Sequence, residues 1–535
     1  MSNTEHKAYS ILTVIMAALA GVLLGLLIMP GQPRQIGGDT QSLSKLDNAM
    51  DLIEHYYVDN VDRDSLTDKM IAAMLSSLDP HSRFLSAAEL KRESESIQGG
   101  FEGIGVLLHY QGDTACVNQV IPGGPAEKAG FQPGDRMIYV DTVKIAGVGM
   151  SKEETVNHIR GPHHSHVDIA VKRHGEEGMR HIKVVRGTIS TPSVNYSGML
   201  DKTTGYVRLT RFCETSYDEF RNAVNKLKRQ GMQNLILDLR GNGGGLLTAA
   251  IDIADDLLPD RDVIVYTQGE HQRKEYIHSR RGGLFSQGKL AIMIDEYSAS
   301  ASEIVAGTVQ DNDRGIIIGR RSFGKGLVQR QFDLDDGSAI WLTIARYHTP
   351  SGRCIQRPYD KGTDEYYTDF LKQLVNSATN DSVLMQITDS TKYYTKGGKV
   401  VYGGGGIYPD FPLKLHTDSL LIYYNQLIDK QVIQQYAFDY VTAHYPELHK
   451  QYASADDFEK RFTVSDKMLE QIIARGEKAG VRRNSRSIAK YGSDIKLLFK
   501  ANIAESLFDS DTFYRIMIQK DTEVYDALKI LNNQR

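Results

Sequence analysis

Two short stretches of this chain place reactive side chains where chemistry can use them. In IDEYSASASEIVAG (294–307) an apolar run ends at Ile294 and a helical pattern begins within a few residues, which puts Ser300 at a helix N-terminus. Ser300-Ala301-Ser302-Glu303 also spells a capping box, and a cap accounts for the serine without catalysis. The same location suits a nucleophile, because the partial positive charge of a helix N-terminus stabilises a developing oxyanion. A serine hydroxyl needs a base. No Ser, His and Asp spacing stands out as a triad, and the Gly-x-Ser-x-Gly elbow is missing. The candidate base lies in GRRSFGKGLVQ (319–329), where Lys325 sits between Gly324 and Gly326 ahead of an apolar strand. To accept a proton near pH 7 a lysine must drop from about 10.4 to ~7–8, a cost of roughly 3–5 kcal/mol that burial in a dry pocket can impose. If the segment is extended, Lys325, Leu327 and Gln329 share a face, so Gln329 can orient the lysine. An exposed lysine is the ordinary alternative at such a position.

Gly319 to Lys325 also reads as the start of a phosphate-binding loop. Position 326 is Gly where Ser or Thr would hold Mg²⁺, and a strand pattern follows where that loop needs a helix, so nucleotide binding is set aside.

The elements that must hold these residues are legible as changes of texture. From Gly205 onward, strands and helices alternate through YVRLTRF, NLILDLRGNGGG, DVIVYT and KLAIMIDE, an α/β rhythm with buried strands. A hairpin with an Asp-Asp-Gly turn follows Lys325. Upstream, residues 97–187 break into short β runs with one helical stretch at 152–159. Here Gly103-Ile104-Gly105-Val106 leads into a strand, and GGPAEKAGFQPGD (123–135) makes a helical turn before another. This module resembles a PDZ domain, in which the N–H groups of the loop at Gly103, Ile104, Gly105 and Val106 would hold a terminal carboxylate while the peptide adds a strand. Residues 41–96 and 413–535 show helical spacing, and the latter carry no evident chemistry.

At 535 residues with 41% hydrophobic and 24% charged side chains, several domains are expected. The balance of 63 basic against 67 acidic residues gives no field that would favour nucleic acid. Three scattered cysteines, and His163, His164 and His166 in a turn-like setting, offer no metal-type spacing, so neither metal nor cofactor is expected. Residues 9–29 form an uncharged apolar run long enough for a bilayer, behind a short tail at 1–8 and ahead of a linker at 30–40. The expectation is a single-pass bacterial inner-membrane anchor with the bulk of the chain in the periplasm; a cleaved signal peptide and a secreted form is the alternative.

The phrases LDPHSRFL (78–85), the PDZ-like stretch, LDLRGNGGGLL (237–247), SASASEIVAG, GRRSFGKGLVQ, YHTPSGRCIQ (347–356) and GGGGIYPD (403–410) occur in the order found in the C-terminal processing peptidases, or tail-specific proteases, of peptidase family S41, which the chain resembles from about residue 78 to 410. The resemblance implies a multidomain α/β protein: a ClpP/crotonase-like serine protease core (188–412) with an inserted PDZ domain, a helical N-terminal region and a helical C-terminal extension. It implies Ser300 as nucleophile, Lys325 as base and Gln329 as its support. It also implies an oxyanion hole of backbone N–H groups at Ala301 and at Gly244 or Gly245, although Gly243 stands where many relatives have proline. Asp311 matches an acidic position of some relatives, and a structural ion pair or cap is the expected role. The function so implied is a serine endopeptidase that binds polypeptide tails at its PDZ domain, with a homo-oligomer or an activating peptide or adaptor as further partners. A membrane-tethered PDZ scaffold with an inactive protease core is the competing reading.

Overall fold

The computed structural model describes residues 40–280, 282–379, 389–414 and 418–534. The chain divides into two compact units at Ile71/Ala72. In the first, the helix Thr40–Tyr56 is joined to the start of the next, Arg63–Ser76, by Arg63, which donates to Glu54 at 2.6 Å.

The second unit is built on a six-stranded sheet in the order Val194–Met199, Thr204–Leu209, Asn234–Asp238, Leu290–Ile294, Ile316–Gly319 and Phe411–Pro412. All its pairings except the first are parallel. Side chains alternate across its faces. Leu235, Leu237, Leu290, Ile292, Ile294 and Ile317 pack with the helices Ser216–Arg229, Leu247–Leu257 and Ala301–Asp311. Ile236, Ala291, Met293 and Ile318 face the other way and meet Val524, Ala527 and Leu531 of the helix Thr522–Asn533. Burial on both faces is why these strands read as continuous apolar runs. The C-terminal region, expected as an appended domain, therefore supplies one layer against this central sheet.

A second sheet runs Arg83–Leu85, Ala339–His348, Val263–Gln268 and Glu275–His278, and Leu327–Asp333 forms the expected hairpin with Ala339–His348. The LDPHSRFL phrase, grouped by its sequence with the helical region at 41–96, ends as a strand of this sheet, with Arg83 opposite Trp341 and Leu85 opposite Ala339. Asp79 shapes its turn by accepting from the N–H groups of His81 and Ser82 and from the Ser82 hydroxyl. The module that resembles a PDZ domain is a six-stranded antiparallel sheet around Ile104, Met137, Ile169 and Val184, with a helix at Lys152–Ile159.

Helices from Leu421 onward form their own core around Tyr436, Phe458, Phe499 and Ile503. Several start on a side-chain cap, among them Ser454, Ser465, Asn484, Asp509 and Asp521. This region also touches the PDZ domain: Gln111 donates to Asp439 at 2.9 Å, and the His109 ring lies 4.9 Å from that of Phe438.

The inner-membrane, single-pass placement expected from residues 9–29 is corrected. Among the described residues no helix is long and apolar enough to cross a membrane, and residues 9–29 lie outside the described residues. The longest described helix, Ser485–Leu507, shows why: Arg486, Lys490, Asp494, Lys496, Lys500 and Glu505 interrupt it.

Docking of the last helix is testable. Leu531 is 1% exposed against the sheet, so Leu531→Ala is expected to cost roughly 2–5 kcal/mol. Urea unfolding followed by near-UV circular dichroism measures it; an unchanged midpoint would mean that the helix contributes nothing to the sheet.

Candidate active site

Three loops leave the same end of the parallel sheet. The glycine turn (241–245) follows Asn234–Asp238, the serine turn (295–300) follows Leu290–Ile294, and the lysine turn (320–326) follows Ile316–Gly319. In the serine turn and the first turn of the helix after it, Ser298 and Ser302 are buried and committed to structure. The Ser298 hydroxyl donates to Leu239 O at 2.8 Å, and that of Ser302 donates to Asn242 O at 2.8 Å. Ser300 between them is half-buried and adopts φ 55°, ψ −112°, a conformation that costs a non-glycine residue roughly 1–3 kcal/mol. It stands at the N-cap of Ala301–Asp311 as its sequence suggested, and Glu303 closes back on the Ser300 N–H at 2.8 Å. The Glu303 N–H also bonds to the backbone oxygen of Ser300 at 2.9 Å, so this helix start has a backbone partner besides the serine side chain.

The Glu303 carboxylate reaches further than its own helix. It also accepts from the N–H groups of Lys325 (2.9 Å) and Gly324 (2.7 Å) and from the Ser322 hydroxyl (2.6 Å). One buried carboxylate thus joins the serine turn to the lysine turn. Tyr347, 1% exposed, adds a second link: its hydroxyl lies 3.2 Å from Ser300 O and also contacts Lys325 O. The glycines beside Lys325 are required by close backbone approach. A Cβ on Gly324 would lie 3.0 Å from Gly406 N, and one on Gly326 would lie 2.9 Å from Gln356 N.

Asn242 fixes the glycine turn. Its amide donates to Leu209 O at 2.9 Å, its side-chain oxygen accepts from the Gly244 N–H at 2.9 Å, and its backbone oxygen accepts from Ala299 N at 3.0 Å. Gly244 is buried with φ 100°, and a Cβ there would sit 2.8 Å from the Ser300 Cβ. Gly245 is exposed with φ 136°, where a side chain would collide with Phe212 O at 2.0 Å.

Ser300, Ala301, Lys325, Gln329, Gly244 and Gly245 line one cavity of about 500 Å³. Gln329 reaches it by a different route from the alternation its sequence suggested. The strand register slips between Val328 and Gln329, and the Gln329 amide donates to the Thr343 hydroxyl at 3.2 Å. Asp311 lies away from the cavity, in a fully buried ion pair with Arg353 at 2.7 Å.

Burial, followed by the nearby Arg83 cation, holds Lys325 below its ordinary value of 10.5, while Glu303, Asp79 and Glu93 push back. Burial raises Glu303 to about 7 from 4.5, against the pull of its four donors. Burial and the Lys325 cation lower His81 to about 4, so this imidazole is neutral at pH 7, with Nε2 3.1 Å from the Tyr366 hydroxyl. His81, Arg83, Tyr347 and the long-range reach of Glu303 went unassigned in the sequence. A charged or aromatic residue inside each family-like phrase was the available signal.

The PDZ loop presents donors. Ile104 O accepts from Ala126 N at 2.7 Å and Gly105 O from Ile121 N at 3.0 Å. Because a trans peptide sets N–H opposite C=O, the N–H groups of Gly105 and Val106 point away from those bonds. They face the open edge of Val106–Gln111, beside a groove of about 160 Å³ that Gly103, Ile104, Val156 and Ile159 help to line.

Glu303 sets a pH signature. Its folded carboxyl, raised to about 7, keeps a proton that the unfolded chain releases near 4.5, so its contribution is full below 4.5 and is lost as pH rises through about 7. Glu303→Gln has no proton to lose, and its stability should fall less than the parent's over that window. Denaturant midpoints across the window decide this; parallel curves would refute it.

Residues 203–365 match peptidase family S41, residues 116–173 a PDZ domain, residues 29–88 the activating protease CtpB N-terminal domain, and residues 423–509 a family of unknown function. The carboxy-terminal-processing protease of Bartonella bacilliformis is 35% identical over 347 residues, spanning 63% of this chain and 79% of that protein. Carboxy-terminal processing protease CtpA of Bacillus subtilis is 31% identical over 388 residues, spanning 72% and 80%. Among solved structures, the photosystem II D1 C-terminal processing protease is 28% identical and covers 71% of this chain and 89% of its own, with a TM-score of 0.35. With identity at this level over more than two thirds of those relatives, the chain belongs to the carboxy-terminal-processing serine proteases of peptidase family S41.

Proposed function

We propose that the protein is an endopeptidase in which Ser300 and Lys325 form a catalytic dyad and the PDZ domain receives the substrate's C-terminal tail. The observation that carries this reading is the convergence of Ser300, Lys325 and Gly245 on one cavity, with the two turns locked together by Glu303. Neutral Lys325 takes the hydroxyl proton as the Ser300 oxygen attacks a peptide carbonyl. The oxyanion is held by the N–H groups of Ala301 and Gly245. Gly245 is preferred to Gly244 because the Gly244 N–H is already spent on Asn242 and its residue is buried. Lysinium then gives its proton to the leaving amine, and water, deprotonated in turn by Lys325, releases the acyl group. Gln329 lines the cavity beside Lys325 and, held by Thr343, helps to orient it.

The tail would enter the PDZ groove as an added strand on Val106–Gln111, its carboxylate on the N–H groups of Gly105 and Val106, with Gly103 and Ile104 shaping the loop. The helix Ala87–Gln98 lies between the two sites: Glu93, Ser96 and Ile97 line the catalytic cavity, while Glu95 pairs at 2.7 Å with Arg160, which lines the PDZ groove.

Degradation of an unstructured protein with an apolar C-terminal tail tests the dyad. Ser300→Ala and Lys325→Ala should each lower kcat by about 10³-fold or more while remaining folded by circular dichroism. Cleavage by either variant at the parental rate would end the reading. The base adds a second prediction. Activity should rise with pH as Lys325 loses its proton, and Arg83→Gln, by removing a cation that lowers Lys325, should move the midpoint of the pH–rate profile to higher pH. An unmoved midpoint would mean that Lys325 is not the group titrating.

A further inference from the structure

The helix that closes the chain does more than cover the sheet. Its first turn brings Asp521 and Glu523 to the sheet end from which the glycine, serine and lysine turns depart. Arg240, just before the glycine turn, is fixed by Asp238 at 2.6 Å and reaches Asp521 at 2.8 Å and Glu523 at 2.7 Å. Arg320, first residue of the lysine turn, donates to the other oxygen of Glu523 at 2.6 Å and to both oxygens of Glu296, in the serine turn, at 3.0 Å. Glu523 is therefore shared by two guanidinium groups, and through them one carboxylate is connected to all three loops.

The arginine side chains are 11% and 7% exposed, so these pairs are shielded from water and strongly directional. Without Glu523, Arg240 would keep Asp238 and Arg320 would keep Glu296. Each loop would stay paired within the protease core, and only the bridge between them would be lost. The helix itself is held by Val524, Ala527 and Leu531, whose packing does not involve that charge.

We propose that Glu523, assisted by Asp521, is a positioning residue for peptide-bond cleavage: it sets the glycine turn relative to the lysine turn, and so makes the helical C-terminal region part of the catalytic apparatus. This rests on the Ser300 and Lys325 reading. Misplacement of reacting groups by about 1 Å can cost about a hundredfold in rate, whereas binding of a tail at the PDZ domain does not pass through these loops.

The test uses the full chain and compares the parent with Glu523→Ala, Glu523→Gln, Ser300→Ala and, as a control on the same helix, Asp526→Ala. Asp526 is half exposed and its carboxylate meets Lys529 on the same helix at 3.2 Å. For each, kcat and KM are measured on an unstructured protein with an apolar tail, the rate of Ser300 labelling by a fluorophosphonate is followed, and melting is recorded by circular dichroism. Glu523→Ala is expected to lose between about tenfold and about a hundredfold in kcat and labelling rate, with KM within about twofold. Glu523→Gln, which keeps the shape and one acceptor, should recover part of that loss, and Asp526→Ala should match the parent. Folded Glu523 variants with parental kcat would overturn the proposal, as would equal changes in kcat and KM. If both Glu523 variants fail to fold, the role is structural and the proposal is likewise overturned. Cleavage by Ser300→Ala would instead condemn the dyad reading, so the two failures are distinguishable.

Discussion

The arrangement of the site depends on a single buried carboxylate. Glu303 is fully buried and holds four donors drawn from two loops, with Ser300 on one side and Ser322, Gly324 and Lys325 on the other. An unpaired carboxylate in that place would be costly, so the two loops must close around it for the fold to tolerate it. The same closure brings the backbones of Ser300 and Lys325 under Tyr347 and aligns Gly244 against the Ser300 Cβ. The backbone strain at Ser300 is sustained because its N–H and C=O are both fixed by these contacts.

The sheet supplies the rigidity on which that closure rests. Its three central strands bury side chains on both faces, so the loops at their ends start from fixed points. The glycine turn is then set by Asn242 and the lysine turn by Gln356, Gly405 and Gly406, segments that lie far apart in the chain. Function-bearing loops on a rigid parallel sheet are the common solution where several groups must meet within an ångström or two.

Much of this was legible in the chain. Ser300 and Lys325 stand in phrases whose local pattern, strand then helix and glycine-flanked strand start, already constrains their backbone, and the cap at Glu303 was readable as well. Its second half was not, because the partners at 322–325 are separated from it by a helix and a strand that only tertiary folding brings back. Gln329 illustrates another limit. Alternation assumes an unbroken strand, and the bulge at Val328/Gln329 breaks it without a glycine or proline to announce it. The LDPHSRFL phrase was visible, yet its pairing with Trp341 and Ile340 depends on a strand more than 250 residues away. The helical C-terminal region showed apolar spacing, and nothing in that spacing distinguishes a face that packs on its own bundle from one that packs on the protease sheet.

That last contact bears on the order in which the molecule can be made. Ile236, Ala291, Met293 and Ile318 are synthesised more than 200 residues before Val524, Ala527 and Leu531, which cover them. Until the helix Thr522–Asn533 emerges from the ribosome, that face of the central sheet lacks this cover, and Arg240 and Arg320 lack their pairs with Asp521 and Glu523. The strands and the helix that covers them are thus made far apart in time, so this layer of the sheet closes only after the strands themselves are complete.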